Sequence, residues 1–160
     1  MTNAKKRTTL ERSYEKATLD DVWALWTTKS GIESWWGPEG FSTTVDSIDL
    51  RVGGKLHYTM TATGPGQVEF MKKAGMPLST AVSITYTQVV LNERLSFESL
   101  ADFIPGTAPY NVGTTVELEA RGSGVVMRVL LDVMHDQTWT ERALAGWESQ
   151  LGKLAKVLDR

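Results

Sequence analysis

The segment 138–158, TWTERALAGWESQLGKLAKVL, constrains this chain more than any other. Its apolar residues fall at Trp139, Ala143, Trp147, Leu151, Leu154, Ala155 and Leu158, with Leu144 beside them. That is the i, i+3, i+4 spacing of one helical face. Thr138 followed by Glu141 predicts a capping-box start at Thr138. No proline interrupts the run, so the helix spans roughly 30 Å at a 1.5 Å rise per residue. A helix this long, with two tryptophans on one face, needs a broad apolar surface to lie against. Trp139 is expected to anchor its start to the end of that surface. Gly146 is expected to let a neighbour come close beside Trp147.

The surface comes from segments in which the hydrophobic period changes to two. Residues 8–14, 41–50, 55–63, 81–90, 94–103, 112–121 and 125–134 read as strands, separated by signals such as Val52-Gly53-Gly54 and Gly122-Ser123-Gly124. Alternation assigns Leu56, Tyr58, Met60 and Ala62 to an inner face, with Val82, Ile84 and Tyr86 on the next strand. Leu95, Phe97 and Phe103 share a parity, as do Val112, Thr114, Val116 and Leu118, and Val125, Met127, Val129, Leu131 and Val133. His57, Glu98, Arg128 and Asp132 fall on the outer face.

Two short helices follow the first strand. Thr18 opens one, with Asp20 and Asp21 favourably placed in its first turn and Leu19, Val22, Trp23 and Trp26 on its buried side. The second covers residues 32–36 and carries Trp35 and Trp36 before Gly37-Pro38 ends it. Residues 67–78 form an excursion with about two helical turns, bearing Phe70, Met71 and Met76, too long for a hairpin turn. The order is therefore β-α-α-β-β-(insert)-β-β-β-β-α, an α+β pattern rather than α/β. About seven antiparallel strands would form a strongly curved sheet wrapped around the C-terminal helix. Such curvature tends to leave space for a ligand between sheet and helix.

The totals narrow the function classes. A length of 160 residues suits one domain over 1–160, with residues 1–7 read as a flexible arm. The net charge of −2 makes nucleic acid a poor partner. With no cysteine, disulfides, thiolate metal sites and cysteine nucleophiles are excluded. Two distant histidines give no metal-ligand spacing, and no run reaches the length of a membrane span. The basic N-terminus lacks the apolar stretch of a secretory signal, so the cytoplasm is the default location. No cofactor motif is found.

Several motifs together resemble one superfamily. They are Val22-Trp23-Ala24-Leu25-Trp26, Ile32-Glu33-Ser34-Trp35-Trp36-Gly37-Pro38, Asp49-Leu50-Arg51-Val52-Gly53-Gly54-Lys55, Gly113-Thr114-Thr115-Val116, and Gly146-Trp147-Glu148-Ser149-Gln150-Leu151. In this order they are similar to the SRPBCC or START-like superfamily, and within it to the family of activators of the heat-shock protein ATPase (Aha-type). The resemblance runs from about Leu10 to Leu158 and implies the helix-grip fold. It does not fix a function, because the superfamily holds lipid carriers, receptors, cyclases and hydroxylase subunits on one scaffold. The Phe70-Met71 excursion and the loop 101–106 are longer than the minimal family pattern. They serve either to cover a cavity mouth or as surface ornament or a dimer contact.

The favoured function is binding of a small hydrophobic or amphipathic molecule between sheet and C-terminal helix, with no catalysis assigned. The residues expected to line the cavity are Trp35, Trp36 and Phe41 at its front, and Tyr58, Met60, Phe97, Phe103 and Met127 from the sheet. Trp147 and Leu151 come from the helix and Phe70 from the excursion. Methionines would make such a wall adaptable. Two alternatives stay open. One is an enzyme of the cyclase/dehydratase or hydrolase sort, for which His135, Tyr58 and Tyr86 are the first candidates. The other is a chaperone-associated interaction module using the outer sheet face or the excursion. A homodimer fits any of the three.

Overall fold

The computed structural model describes residues 6–101 and 106–159. The chain runs through β1 (Arg7–Tyr14), α1 (Leu19–Thr27), α2 (Lys29–Glu33), β2 (Phe41–Ile48), β3 (Lys55–Ala62), α3 (Pro65–Lys73), β4 (Ser79–Val90), β5 (Arg94–Ala101), β6 (Tyr110–Arg121), β7 (Gly124–Asp132) and α4 (Gln137–Leu158). The strands form one antiparallel sheet in the order β1-β7-β6-β5-β4-β3-β2. It is curved and unclosed, with β1 and β2 as its edges. Bulges interrupt the ladder at Val45/Ser47 and at Tyr86/Gln88, where an extra residue bends a strand and deepens its twist.

Alternation places the side chains as their parity requires. Leu56, Tyr58, Ile84, Tyr86, Leu95, Phe97, Val116, Leu118, Met127 and Val129 are buried on the concave face. Leu151 and Leu154 of α4 close that core, with Trp147, Val157 and Leu158 packed against it. The tryptophans of the two short helices fill the other end. Trp26 meets Trp35 edge-on at 4.7 Å and donates its indole N–H to Met127 Sδ at 3.3 Å. Trp35 donates its own to the Leu25 carbonyl at 2.7 Å. Each indole thus buries its area without stranding its N–H. On the convex face, Arg128 bridges Glu11 and Glu119.

Local signals explain the helix starts. Thr18 and Asp21 form a reciprocal capping box around α1, at 3.1 and 3.0 Å. For α4 the start differs from expectation. Asp136 is the cap and accepts from Trp139 N at 2.8 Å, while Thr138 is exposed. Glu141 takes the Gln137 amide instead of reaching back. A carboxylate at the cap suits the helix dipole better than a hydroxyl one turn later.

Other expectations need correction. α2 begins at Lys29, capped by Thr28, so Trp35 and Trp36 lie beyond its end and not within it. The excursion is a helix, α3, that buries none of its residues. Val133 lies past β7 and is exposed, because the strand ends at Asp132. Arg7, expected in a flexible arm, belongs to β1 and pairs with Asp132; residues 1–5 lie outside the described residues. No heavy atom comes within 4 Å of where a Gly146 side chain would start, so no neighbour exploits that glycine. Trp139 does pack on Ala101 and Met134, at the end of the sheet.

Candidate functional site

Between the concave sheet face and the first half of α4 lies a cavity of about 250 Å³. β3 contributes Tyr58 and Met60, β4 Ile84, and β5 Phe97, Ser99 and Ala101. Val112 and Thr114 come from β6, and Leu131 from β7. α4 supplies Ala143, Trp147 and Gln150, and the segment after α2 supplies Trp36 and Pro38. Strand residues two apart face the same way, so Tyr58 and Met60, or Phe97 and Ser99, reach the cavity together. On α4, Ala143, Trp147 and Gln150 follow the i, i+4, i+7 spacing of one face.

One wall is a continuous aromatic cluster. Trp36 lies 5.9 Å from each of Tyr58, Phe97 and Trp147, and Trp147 stacks on Trp26 at 5.9 Å and 21°. These separations are those of rings packed directly on one another, so open space lies to one side of the cluster and not within it. Burial raises the Tyr58 hydroxyl pKa, and the hydrogen bond from Trp36 partly opposes that shift. The phenol stays neutral.

The front of the cavity is held by a strap, residues 37–41. Gly37 and Gly40 have φ of 94° and 89°, a left-handed backbone that other residues adopt only under strain. A Cβ on Gly40 would also collide with the Gln67 side chain of α3. Four hydrogen bonds with three α4 residues fasten the strap. Gln150 Oε1 accepts from Gly37 N at 2.7 Å, and Ser149 Oγ from Glu39 N at 2.9 Å. Lys153 Nζ donates to the carbonyls of Gly37 and Phe41 at 3.0 and 3.2 Å. Partial burial lowers the Lys153 pKa, against the opposing pull of Glu39.

Of the residues expected to converge here, Trp36, Tyr58, Met60, Phe97 and Trp147 line the cavity. Trp35, Met127 and Leu151 do not. They are completely buried in the packed core beside it. Phe41 is half-buried at the start of β2 and meets α4 through its carbonyl. Phe70 points away, 64 % exposed on α3, because that helix packs on the body through few side chains. Phe103 lies outside the described residues. Sequence reasoning missed the other lining residues, among them Pro38, Ser99, Asp132, Ala143 and Gln150. Ser99 shares its parity with Phe97, and Gln150 follows Trp147 by three residues on the same helix face. Both signals were present, but polar residues are not what a search for an apolar lining selects.

The other candidates sit elsewhere. His57 is exposed on the outer face, 2.6 Å from Ser83 Oγ. His135 is at the surface, with Nδ1 2.8 Å from the Tyr110 hydroxyl and Nε2 3.4 Å from Asp136. Tyr86 is buried in the core away from the cavity. A wider groove of about 670 Å³ lies on the convex face, but its floor is polar, and two pairs of its charges meet each other, Arg7 with Asp132 and Arg94 with Glu117. Among the described residues no group of three His, Cys, Asp or Glu side chains could hold a metal ion. Among the same residues no helix is long and apolar enough to cross a membrane.

With this geometry in view, the chain was compared with known proteins. Residues 16–159 match the family described as Activator of Hsp90 ATPase homolog 1-like protein, and the chain belongs to that family. No curated protein sequence matches. Among solved structures, a crystal structure of a protein from Chromobacterium violaceum superposes with a TM-score of 0.76 at 23 % identity, covering 96 % of this chain and 97 % of that one. The solution structure of an AHSA1-like protein from Aeromonas hydrophila gives 0.73 at 21 % identity, over 96 % and 92 %. The crystal structure of an AHSA1 protein from Silicibacter pomeroyi gives 0.70 at 22 %, over 96 % and 98 %. At these identities the likeness concerns the fold alone.

Proposed function

We propose that this member of the Activator of Hsp90 ATPase homolog 1-like family binds a small hydrophobic or amphipathic molecule in the cavity between β3–β7 and α4. One observation carries the reading. A largely apolar cavity of about 250 Å³ remains where the curved sheet and α4 meet, although the core around it is tightly packed. A concave, mostly apolar surface with a few polar groups is the usual form of a small-molecule site. Burying an apolar ligand would return roughly 25 cal/mol for each Å² covered.

The test is native mass spectrometry of protein purified from its own host, with Ala143→Trp as the blocking variant. Ala143 lines the cavity, so an indole there occupies the ligand's space. A co-purified small molecule on the wild type, absent from Ala143→Trp, is the expected result. Equal adducts on both proteins would place any ligand elsewhere.

A second reading, a protein-interaction module, has one observation in its favour. α3 and the turn after it present Phe70 and Met76 to solvent, 64 % and 49 % exposed. Stimulation of a heat-shock ATPase, as the family's name describes for its founding members, would be the direct assay. Loss of that stimulation in Phe70→Ser would support this reading, and no stimulation by the wild type would remove it.

A further inference from the structure

We infer that the cavity selects a neutral, single-ring aromatic molecule carrying one hydrogen-bonding oxygen, an aryl ketone or a phenol, over fatty acids, sterols and aromatic carboxylates. The inference rests on the ligand-binding reading above and adds the chemical class.

Size comes first. An apolar cavity of about 150 Å³ accommodates benzene, about 25 Å³ for each non-hydrogen atom. At that ratio 250 Å³ takes a molecule of about ten non-hydrogen atoms. A single ring with a short substituent fits. A long acyl chain or a four-ring skeleton would leave most of its length outside the cavity.

Polarity comes second. The β5–β6 register puts Thr114 opposite Phe97, with Ser99 as its diagonal neighbour on the same inner face. Thr114 is only 4 % exposed, yet its hydroxyl has no protein partner among the described residues, and neither has that of Ser99. Neither oxygen is among the buried, unpartnered ones, and both residues line the cavity, where a polar group of a ligand can supply the missing hydrogen bond. Across from them, Gly37 N–H can only donate, so it fixes the Gln150 amide with its oxygen toward the strap. The NH2 group is left at the cavity wall with no acceptor among the described residues. Two hydroxyls and an amide NH2 can all donate, so an acceptor oxygen on the ligand is the group they serve best.

Charge comes third. Among the described residues no Lys, Arg or His lines the cavity. Among the described residues the charged lining residue is Asp132, which accepts from Gly113 N at 2.8 Å and pairs with Arg7 on the outer side. An anionic ligand would therefore be desolvated without a counter-charge, which is strongly unfavourable. The aromatic wall of Trp36, Tyr58, Phe97 and Trp147 offers ring faces and edges to a flat ligand.

The experiment is an equilibrium titration followed by tryptophan fluorescence, since Trp36 and Trp147 are in the wall. Native mass spectrometry checks stoichiometry. The probes are acetophenone, ethylbenzene, benzoate, palmitate and progesterone, each against wild type, Ala143→Trp, Thr114→Val and Ser99→Ala, with thermal melts to establish folding. Acetophenone is expected to bind about tenfold more tightly than ethylbenzene, one hydrogen bond to a buried group being worth about that factor. Benzoate, palmitate and progesterone are expected not to bind. Thr114→Val or Ser99→Ala should bring the acetophenone-to-ethylbenzene ratio toward one. Palmitate or progesterone binding that Ala143→Trp abolishes would overturn the size argument while leaving the cavity as the site. Benzoate binding as tightly as acetophenone would overturn the charge argument. A ratio unchanged in both hydroxyl variants would overturn the polar anchor. If no probe binds, and no ligand co-purifies from the host, the ligand-binding reading fails as well.

Discussion

Tyr14 and Tyr86 bury their hydroxyl oxygens with no hydrogen-bond partner among the described residues. Their chemistry makes them sensitive reporters of packing. Burial pushes the Tyr14 pKa up to about 12, the Arg12 guanidinium opposes this, and Asp159 adds to it. Burial alone raises the Tyr86 pKa further. In each case the folded protein keeps a proton that the unfolded chain gives up near the ordinary value of 10.0. The stability associated with Tyr14 is therefore fully present below about pH 10 and is lost as pH rises toward about 12, by up to about 1.4 kcal/mol per pH unit. Tyr14→Phe should flatten that alkaline slope in urea unfolding curves. It should also raise stability near neutral pH by about 1 kcal/mol, since an unsatisfied buried hydroxyl is removed. A variant with the wild-type alkaline slope would show that solvent reaches the hydroxyl. Parity already placed Tyr86 inward. Whether its oxygen meets an acceptor depends on the neighbours that folding brings, and alternation along one strand says nothing about them.

At the scale of the element, the helix starts and the strap are where local sequence and tertiary context compete. Residues 136–141 contain two plausible caps, and both Asp136 and Thr138 have the right chemistry. The tertiary structure chooses Asp136. The chain must turn immediately after β7, and Thr140 Oγ1 fastens that turn by accepting from Met134 N at 2.9 Å and donating to the Asp136 carbonyl at 2.8 Å. Asp136→Ala should cost about 1 kcal/mol by chemical denaturation. Thr138→Ala should change stability by less than about 0.5 kcal/mol. The reverse order would restore the capping box at Thr138. The strap is an element with little regular structure of its own, held by Ser149, Gln150 and Lys153. Gln150→Ala should speed hydrogen exchange at the Gly37 amide by about tenfold, the loss of one hydrogen bond. The Glu39 amide, held by Ser149, should keep its protection. Equal acceleration at both would mean that the strap opens as one unit. Trp35 and Trp36 belong here too. Their expected place in a helix failed because Thr28 caps α2 early, leaving the indoles on a turn whose direction only packing fixes.

For the whole molecule, stability comes from α4 lying against a curved sheet, while α3 remains peripheral. Leu154 is fully buried between them, so Leu154→Ala should cost about 2–5 kcal/mol in equilibrium unfolding. Phe70→Ser, on the exposed face of α3, should stay within about 0.5 kcal/mol. A large loss in Phe70→Ser would mean that α3 covers core in solution. The sequence by itself determined the element order, the inner and outer face of nearly every strand, and the long helix that the sheet wraps. The periods of two and 3.6 are properties of the backbone, and a residue's period alone tells which side it faces. Only the tertiary structure decided which inward residues meet a cavity and which are filled around. Met127 and Leu151 have the same inward phase as Tyr58, Phe97 and Trp147, yet they are sealed in the core. Parity gives a direction but no distance. Where the sheet stands off from α4 depends on the bulges at Val45/Ser47 and Tyr86/Gln88, on the strap fastened by Gln150, and on the bulk of four packed indoles, Trp26, Trp35, Trp36 and Trp147. The contacts of Gly37 with Gln150 and of Trp36 with Trp147 join distant parts of the chain, which no local pattern contains.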